Sequence, residues 1–402
     1  MMQQKFKVLI LGGGTGGIAV AARLMRDGLG GHIAIIDPSE FHDYQPYWTL
    51  AGVGLVSKNS SRRSMTSVVP PGVTWIKASV KSIDPDNREV VSADGQRFSY
   101  DILVVALGLT LNYDHMAGAQ ESLGKQGVIS VYQFDQLDAA REAIENFSGG
   151  TAIFTMPPVP IKCAGAPQKV MYLADDIWRR RGVRAKSRII FASAGAAIFG
   201  IPEFAASLSK VIARKEIETW FQTKLVGVRA SDQVAVFERV TNGEVIKEEV
   251  KFDLLHVVPP MSAPRVIKDS PLASDEDAQR GWLAVDKHTL QHLKFPNVFG
   301  VGDVTGVPNS KTGAAIRKQA PVVAANIAKH LAGQSDFLRY DGYSSCPLIT
   351  DIGKVILAEF GYDGKLMPSF PLDPTKERRL YWHLKKDLLP TLYWQGMMKG
   401  RM

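Results

Sequence analysis

The sequence predicts an α/β protein built from two Rossmann-like dinucleotide-binding folds, closed by a C-terminal amphipathic segment that lies on a membrane surface. Three observations carry this. A strand–glycine loop–helix–strand pattern opens the chain, a second βαβ pattern without the glycine signature fills its middle, and a basic, aromatic-rich stretch ends it. At 402 residues the chain exceeds what a single hydrophobic core organises. The expected division is a dinucleotide-binding domain at 1–112 and 271–335, a second Rossmann-like domain at 113–270, and a C-terminal region at 336–402.

The opening pattern is specific. FKVLIL (6–11) is nearly continuous in apolar residues, as a buried parallel strand requires. Gly12, Gly14 and Gly17 then satisfy G-x-G-x-x-G, with Thr15 and Gly16 inside the loop. IAVAARLMRDG follows at helical spacing and stops at Gly28. The next strand, HIAIID, ends in Asp37, twenty residues past the third glycine. Glycines allow the backbone to approach a pyrophosphate, the helix N-terminus supplies unpaired N–H groups, and the acid accepts ribose hydroxyls. All the parts of a dinucleotide site are in register.

A second βαβ pattern runs through TAIFTM (151–156), a helix near 167–181, RIIFASAG (188–195) and a helix near 203–216. Its first turn reads MPPVPIKCAGAPQK, with no glycine fingerprint, and its second strand ends without an acid. NADH binding is disfavoured there. Pro167 suits the first turn of a helix. Cys163 lies just before that helix and beside Lys162, a setting that lowers a thiol pKa.

Composition narrows the field. The apolar fraction of 45% and charged fraction of 22% are ordinary for a globular protein, and the formal charge of +8 favours anionic partners without choosing among them. The two cysteines, Cys163 and Cys346, form no CxxC pair and suggest neither a zinc site nor a disulfide framework. No metal site is expected. No window reaches the roughly 18 apolar residues of a membrane span, and no export or transit signal opens the chain.

The C-terminal stretch RRLYWHLKKDLLPTLYWQGMMKGRM has Leu380, Leu384, Leu388 and Leu392 at intervals of four. Tyr381, Trp382, Tyr393, Trp394, Met397 and Met398 add rings and thioethers. Arg378, Arg379, Lys385, Lys386, Lys399 and Arg401 add charge, and Pro390 should kink the helix. A basic, aromatic amphipathic helix reads as interfacial. The alternative is a helix docked on its own protein.

Two further segments, DILVVALG (101–108) with Gly108 and NVFGVGDV (297–304) with Gly302 and Asp303, resemble the accessory motifs of the two-dinucleotide-binding-domain flavoproteins. The resemblance sharpens on LILGGGTGG, DPSEFHDYQPYWTLAGVG, KCAGAPQKVMYL, LLHVVPPMSAP, NVFGVGDVTGVPNSKT and DGYSSCPL. Over essentially its whole length the chain is similar to the sulfide:quinone oxidoreductases, and most similar to their mitochondrial-type branch, with which the lack of a third cysteine agrees.

That resemblance implies the following. FAD is the cofactor, held by the loop residues above, with Gln45 on the flavin side, Val80 contacting adenine through its backbone, and Asp303 on the ribityl chain or phosphate. Lys311, Thr312, Gly313 and Ala314 line the flavin, where a helix N-terminus and Lys311 would stabilise anionic reduced flavin. Cys163 and Cys346 flank the flavin and form a redox-active sulfur bridge. Hydrosulfide attacks at Cys346, leaving a persulfide, and Cys163 departs as a thiolate. Electrons pass to ubiquinone or another quinone, and the sulfur passes to glutathione, sulfite or another thiol. His256 is a candidate proton carrier, with a satisfied core histidine as the alternative. The expected place is peripheral on a membrane: the cytoplasmic face of a bacterial inner membrane, or the mitochondrial inner membrane after removal of a leader. No nucleic-acid partner is expected. The rival functions are a type 2 NADH:quinone oxidoreductase, the flavoprotein half of a sulfide dehydrogenase serving a haem protein, and a flavin-binding interaction protein without turnover.

Overall fold

The computed structural model describes residues 4–29, 31–241 and 243–402. The first sheet runs, in spatial order, Thr74–Ile76, Ile33–Ile36, Gln4–Leu11 and Arg97–Val105, all parallel. Arg97–Val105 is shared. Its first half pairs antiparallel with Glu89–Ser92, which pairs in turn with Val80–Asp84, and its second half pairs parallel with Val298–Gly300. Residues almost 200 positions apart in sequence thus complete one sheet. Ile33–Ile36 is buried throughout because both faces of a parallel sheet are covered. The helix Thr15–Arg26 packs against the helix Gly313–Leu331.

The second sheet has five parallel strands in the order Val128–Ile129, Leu254–His256, Gly150–Met156, Ser187–Ser193 and Glu218–Trp220. The helices Ala166–Arg180 and Pro202–Lys215 complete the Rossmann-like pattern within a residue or two of the sequence reading. An antiparallel sheet of Thr223–Arg229, Val234–Thr241 and Glu244–Lys251 is attached to it.

Near the C-terminus a hairpin, Ser344–Asp351 with Lys354–Phe360, carries Cys346 opposite Ala358. Strand alternation puts Cys346 on one face and its neighbours Ser345 and Pro347 on the other. The last helical stretch, Arg379–Lys399, is not a regular α-helix. Widened π turns at Leu384–Leu388 and Leu392–Gly396 flank Pro390, which supplies no N–H for a regular ladder. No helix among the described residues is long and apolar enough to cross a membrane.

Candidate redox and cofactor site

The glycine loop is shaped by contact. Gly12 has φ +102°, and a Cβ there would stand 2.4 Å from the Ala106 carbonyl oxygen. A Cβ on Gly17 would stand 1.9 Å from the Gly12 oxygen. Both positions therefore admit only glycine, one for the turn and one for close helix–strand packing. Gly14 has nothing within 4 Å of its would-be Cβ and faces an open cavity. It precedes the helix Thr15–Arg26 without any side-chain cap, so first-turn N–H groups are left for a ligand. Asp37 accepts from Gly13 N at 2.6 Å and from Ser39 N at 2.8 Å, which braces the loop from the next strand. A bare glycine cradle, an uncapped helix end and a braced acid fit the pyrophosphate and ribose of a flavin dinucleotide.

The cavity, about 420 Å³, gathers most of the predicted residues. Gly14, Thr15, Gly16, Gln45, Gly108, Cys163, Gly302, Asp303, Lys311, Thr312, Gly313 and Ala314 all line it. Gly12, Gly17 and Asp37 stand one layer behind. Val80 is placed elsewhere. It does not line this cavity, and it starts a strand bordering a second cleft with Arg265 and Asp269.

Cys163 and Cys346 meet. Both are free, and the two sulfurs lie at hydrogen-bonding range. Gly165 makes the approach feasible: a Cβ there would be 2.5 Å from Cys346 Sγ. Cys163 itself has φ +49°, a left-handed conformation costing on the order of 1 kcal/mol for a residue with a Cβ. Its N–H donates to the Lys311 carbonyl at 2.9 Å, and its carbonyl accepts from Ala166 N at 2.7 Å. These bonds hold the cysteine loop against the segment leading into Gly313–Leu331. A buried bridge ties the two cysteine-bearing elements further back: Lys215 Nζ donates to Asp175 Oδ2 at 2.8 Å, on the helix after Cys163, and to Asp351, at the end of the strand holding Cys346.

The electrostatics separate the two sulfurs. A hydrogen bond from Cys346 and the charge of Lys169 push the Cys163 pKa well down, against a burial cost. The hydrogen bond with Cys163 and burial push Cys346 well up. In the reduced pair Cys163 is the thiolate and Cys346 the thiol. Lys169 Nζ donates to Cys163 Sγ at 3.3 Å. Burial works against the charge on Lys169, and the sulfur outweighs it. The sequence reading credited the helix end and Lys162, and the structure moves that role to Lys169. The signal was present, because side chains in a helix lean toward its N-terminus and Lys169 is in the first turn after Cys163.

Lys162 instead donates to Gln45 Oε1 at 2.9 Å and to the Tyr132 carbonyl at 3.3 Å, and burial lowers its pKa to about 8. Lys311 is also redirected. Its ammonium donates to the carbonyls of Asp303 at 2.7 Å and Thr305 at 2.9 Å and sits over the Trp282 ring, and burial lowers its pKa to about 8. Burial raises the pKa of Asp303. Thr312 caps its helix by accepting from Ala315 N.

His256 does not reach the cavity. It ends a central strand of the second sheet, fully buried; Nε2 accepts from Val131 N at 3.4 Å, and burial lowers its pKa to about 3. A buried, neutral histidine that does not line the cavity is not placed to carry protons within it.

The C-terminal segment is allocated differently from the sequence reading. Tyr381, Trp382, Tyr393, Trp394, Met397 and Met398 are buried against the protein. Lys385, expected to add charge to an interfacial helix, is buried beside the cysteines. It donates to the Pro46 carbonyl at 2.8 Å, and burial and Lys169 lower its pKa to about 7. The outward apolar residues are Leu380 and Leu388, with Phe370 and Leu372 nearby in sequence. Leu384, Leu389 and Leu392 line the cavity.

The model of the pyridine nucleotide-disulphide oxidoreductase family matches residues 6–144. A mitochondrial sulfide:quinone oxidoreductase of Dictyostelium discoideum is 43% identical over 397 residues, covering 98% of this chain and 86% of the relative. The mitochondrial enzyme of that name from Mus musculus is 42% identical, covering 98% and 87%. The solved structure of the sulfide:quinone oxidoreductase from Aquifex aeolicus shares the fold, with a TM-score of 0.81 at 20% identity over 99% of this chain and 92% of that one.

Proposed function

Since the chain belongs to the sulfide:quinone oxidoreductase family of flavoproteins, we propose that it binds FAD, oxidises hydrosulfide through the Cys163–Cys346 pair and passes the electrons to a membrane quinone. The observation that carries this is the meeting of the two sulfurs, with Lys169 on Cys163, where Cys163 and Lys169 line the cavity that the glycine loop opens into.

The residues divide the work. In the oxidised pair a sulfur bridge joins the cysteines. Hydrosulfide attacks the sulfur on Cys346, the bridge breaks, and Cys346 keeps a persulfide. Cys163 is the leaving group because Lys169 stabilises its thiolate, and a low leaving-group pKa speeds exchange. A small nucleophile such as glutathione, sulfite or another thiol removes the outer sulfur, and the bridge re-forms. Per turnover the sulfide sulfur loses two electrons, which pass to quinone and leave with two protons as quinol. FAD supplies the two-electron relay between sulfur and quinone. The loop Gly12–Gly17 and Asp37 would hold its pyrophosphate and ribose, and the residues at the Gly313 helix end would line its site. Leu380 and Leu388 offer apolar side chains to a lipid surface from which quinone enters past Leu384, Leu389 and Leu392. The enzyme is accordingly peripheral.

An anaerobic titration tests the reading. Sulfide should bleach the flavin absorbance of the purified protein, and quinone should restore it. Bleaching by NADH with no response to sulfide would establish the rival reductase, and no response to either would establish a binding protein without turnover.

A further inference from the structure

The C-terminal segment does more than face outward. Tyr393 is buried, lines the cavity and reaches the glycine loop from the far end of the chain. Its hydroxyl lies 2.8 Å from Thr15 Oγ1, 378 residues away, and 2.5 Å from His42 Nε2. His42 Nδ1 lies 2.9 Å from the Gly13 carbonyl oxygen.

The directions of these bonds follow from what each atom can do. The Gly13 carbonyl only accepts, so Nδ1 carries the proton. Burial lowers the His42 pKa, so the ring is neutral and Nε2 is an acceptor. The Tyr393 hydroxyl therefore donates to His42, and its oxygen accepts from Thr15. One chain, Thr15 to Tyr393 to His42 to Gly13, closes on the two sides of Gly14. In a planar trans peptide the carbonyl and the following N–H point opposite ways. Holding the Gly13 oxygen on His42 turns the Gly14 N–H away from His42, and Gly14 is a residue of the cavity wall.

Packing supports the same geometry. The Tyr393 ring is 4.5 Å from the Tyr44 ring and 4.9 Å from that of Trp394. Beyond it Gly400, at φ +64°, lies so close to the helix Thr15–Arg26 that a Cβ would be 2.6 Å from the Ala22 backbone. Arg23 Nη1 donates to the Gly400 carbonyl at 3.4 Å. Residues 393–400 thus form a strap pinned to the loop at one end and to the following helix at the other.

We propose that Tyr393, acting through His42 and Thr15, is a positioning residue that holds the glycine loop in its phosphate-receiving shape, so that the C-terminal strap governs how tightly the flavin dinucleotide is retained. Glycine backbone is the costliest to order, and a loop ordered in advance spares the ligand that cost. The strap is also the continuation of the stretch bearing Leu380 and Leu388, so displacement of that stretch reaches the cofactor. The inference rests on the FAD reading given above.

The test compares wild type with Tyr393→Phe, which keeps the ring and removes only the hydroxyl, and with Gly400→Ala, which lifts the far end of the strap and leaves the hydroxyl intact. Flavin content is read from absorbance, release from the rise in flavin fluorescence after dilution, and stability from melting of holo- and apo-protein. Loss of one buried hydrogen bond that matters only to the loaded loop should speed release about tenfold. The gap between holo and apo melting temperatures should narrow, and Gly400→Ala should act in the same direction. Release rates and a holo–apo gap equal to wild type in both variants would overturn the inference, as would equal lowering of holo and apo stability with unchanged release. Wild-type protein isolated without flavin absorbance, and taking up none when FAD is added, would overturn the FAD reading itself.

Discussion

Lys169→Met removes the cation that sets the Cys163 pKa and keeps the length and apolar stem of the side chain. The ammonium is 3.3 Å from the sulfur, so at an effective dielectric of about 20 the gross attraction is about 5 kcal/mol. Lys169 is almost fully buried and has surrendered its hydration, which offsets much of that. What remains is a charge-assisted hydrogen bond, about 1.5–3 kcal/mol, or about one to two pKa units at 1.36 kcal/mol each. The sign is fixed: a cation beside a thiolate depresses its pKa, so removal raises it. The acid limb of sulfide-driven flavin reduction should move up by about one to two pH units, followed by stopped-flow absorbance. In the reduced protein the ultraviolet thiolate band should titrate with the same displacement. An unchanged midpoint in both measurements would refute the assignment of Lys169 as the thiolate's counter-ion.

Gly165→Ala would place a methyl 2.5 Å from Cys346 Sγ and 2.6 Å from Leu348 Cδ2. It should cost about 1–3 kcal/mol of stability by overpacking, and it should abolish sulfide-driven reduction while flavin content persists; full turnover would contradict the close approach. Lys385 has its pKa lowered to about 7 in the fold, against about 10.4 when unfolded. Between these values the unfolded chain binds the extra proton, so stability rises with pH. Lys385→Met should flatten that rise in denaturant titrations from pH 7 to 10, and an identical slope in both proteins would contradict the burial. Leu380→Glu with Leu388→Glu, both exposed, should weaken pelleting with lipid vesicles while leaving flavin content and bleaching by sulfide intact; undiminished pelleting would exclude this face as the lipid contact.

The parts of the site that were legible in the sequence are those made by contiguous residues. Gly12, Gly14, Gly17 and Asp37 declare a dinucleotide loop because turn, helix and strand follow each other without a break, and the helices Ala166–Arg180 and Pro202–Lys215 fall within a residue or two of where the βαβ pattern puts them. Long-range pairing was not written locally. Cys346 meets Cys163 across 183 residues, and nothing in either segment specifies the other; only family resemblance joined them. The C-terminal stretch shows why amphipathicity is incomplete information. Its pattern of leucines, rings and lysines distinguishes faces but does not say whether lipid or protein covers them, and here Tyr393, Trp394 and Lys385 turned inward. Leu254–His256 is an apolar run of a central strand, so His256 followed its neighbours into the core, where one ring nitrogen accepts a weak bond and burial keeps the ring neutral. Tyr393 was read only as one ring of the C-terminal stretch and His42 not at all, because each looks ordinary alone, and their meaning lies in the chain they form with Thr15 and Gly13.

The most direct test of the central claim is an anaerobic sulfide titration of Cys163→Ala and Cys346→Ala beside the wild type, with flavin absorbance followed throughout. The account predicts that both variants carry flavin, that neither bleaches at the sulfide concentrations that bleach the wild type, and that quinone restores the wild-type absorbance. Bleaching of either variant at the wild-type rate and amplitude would contradict it.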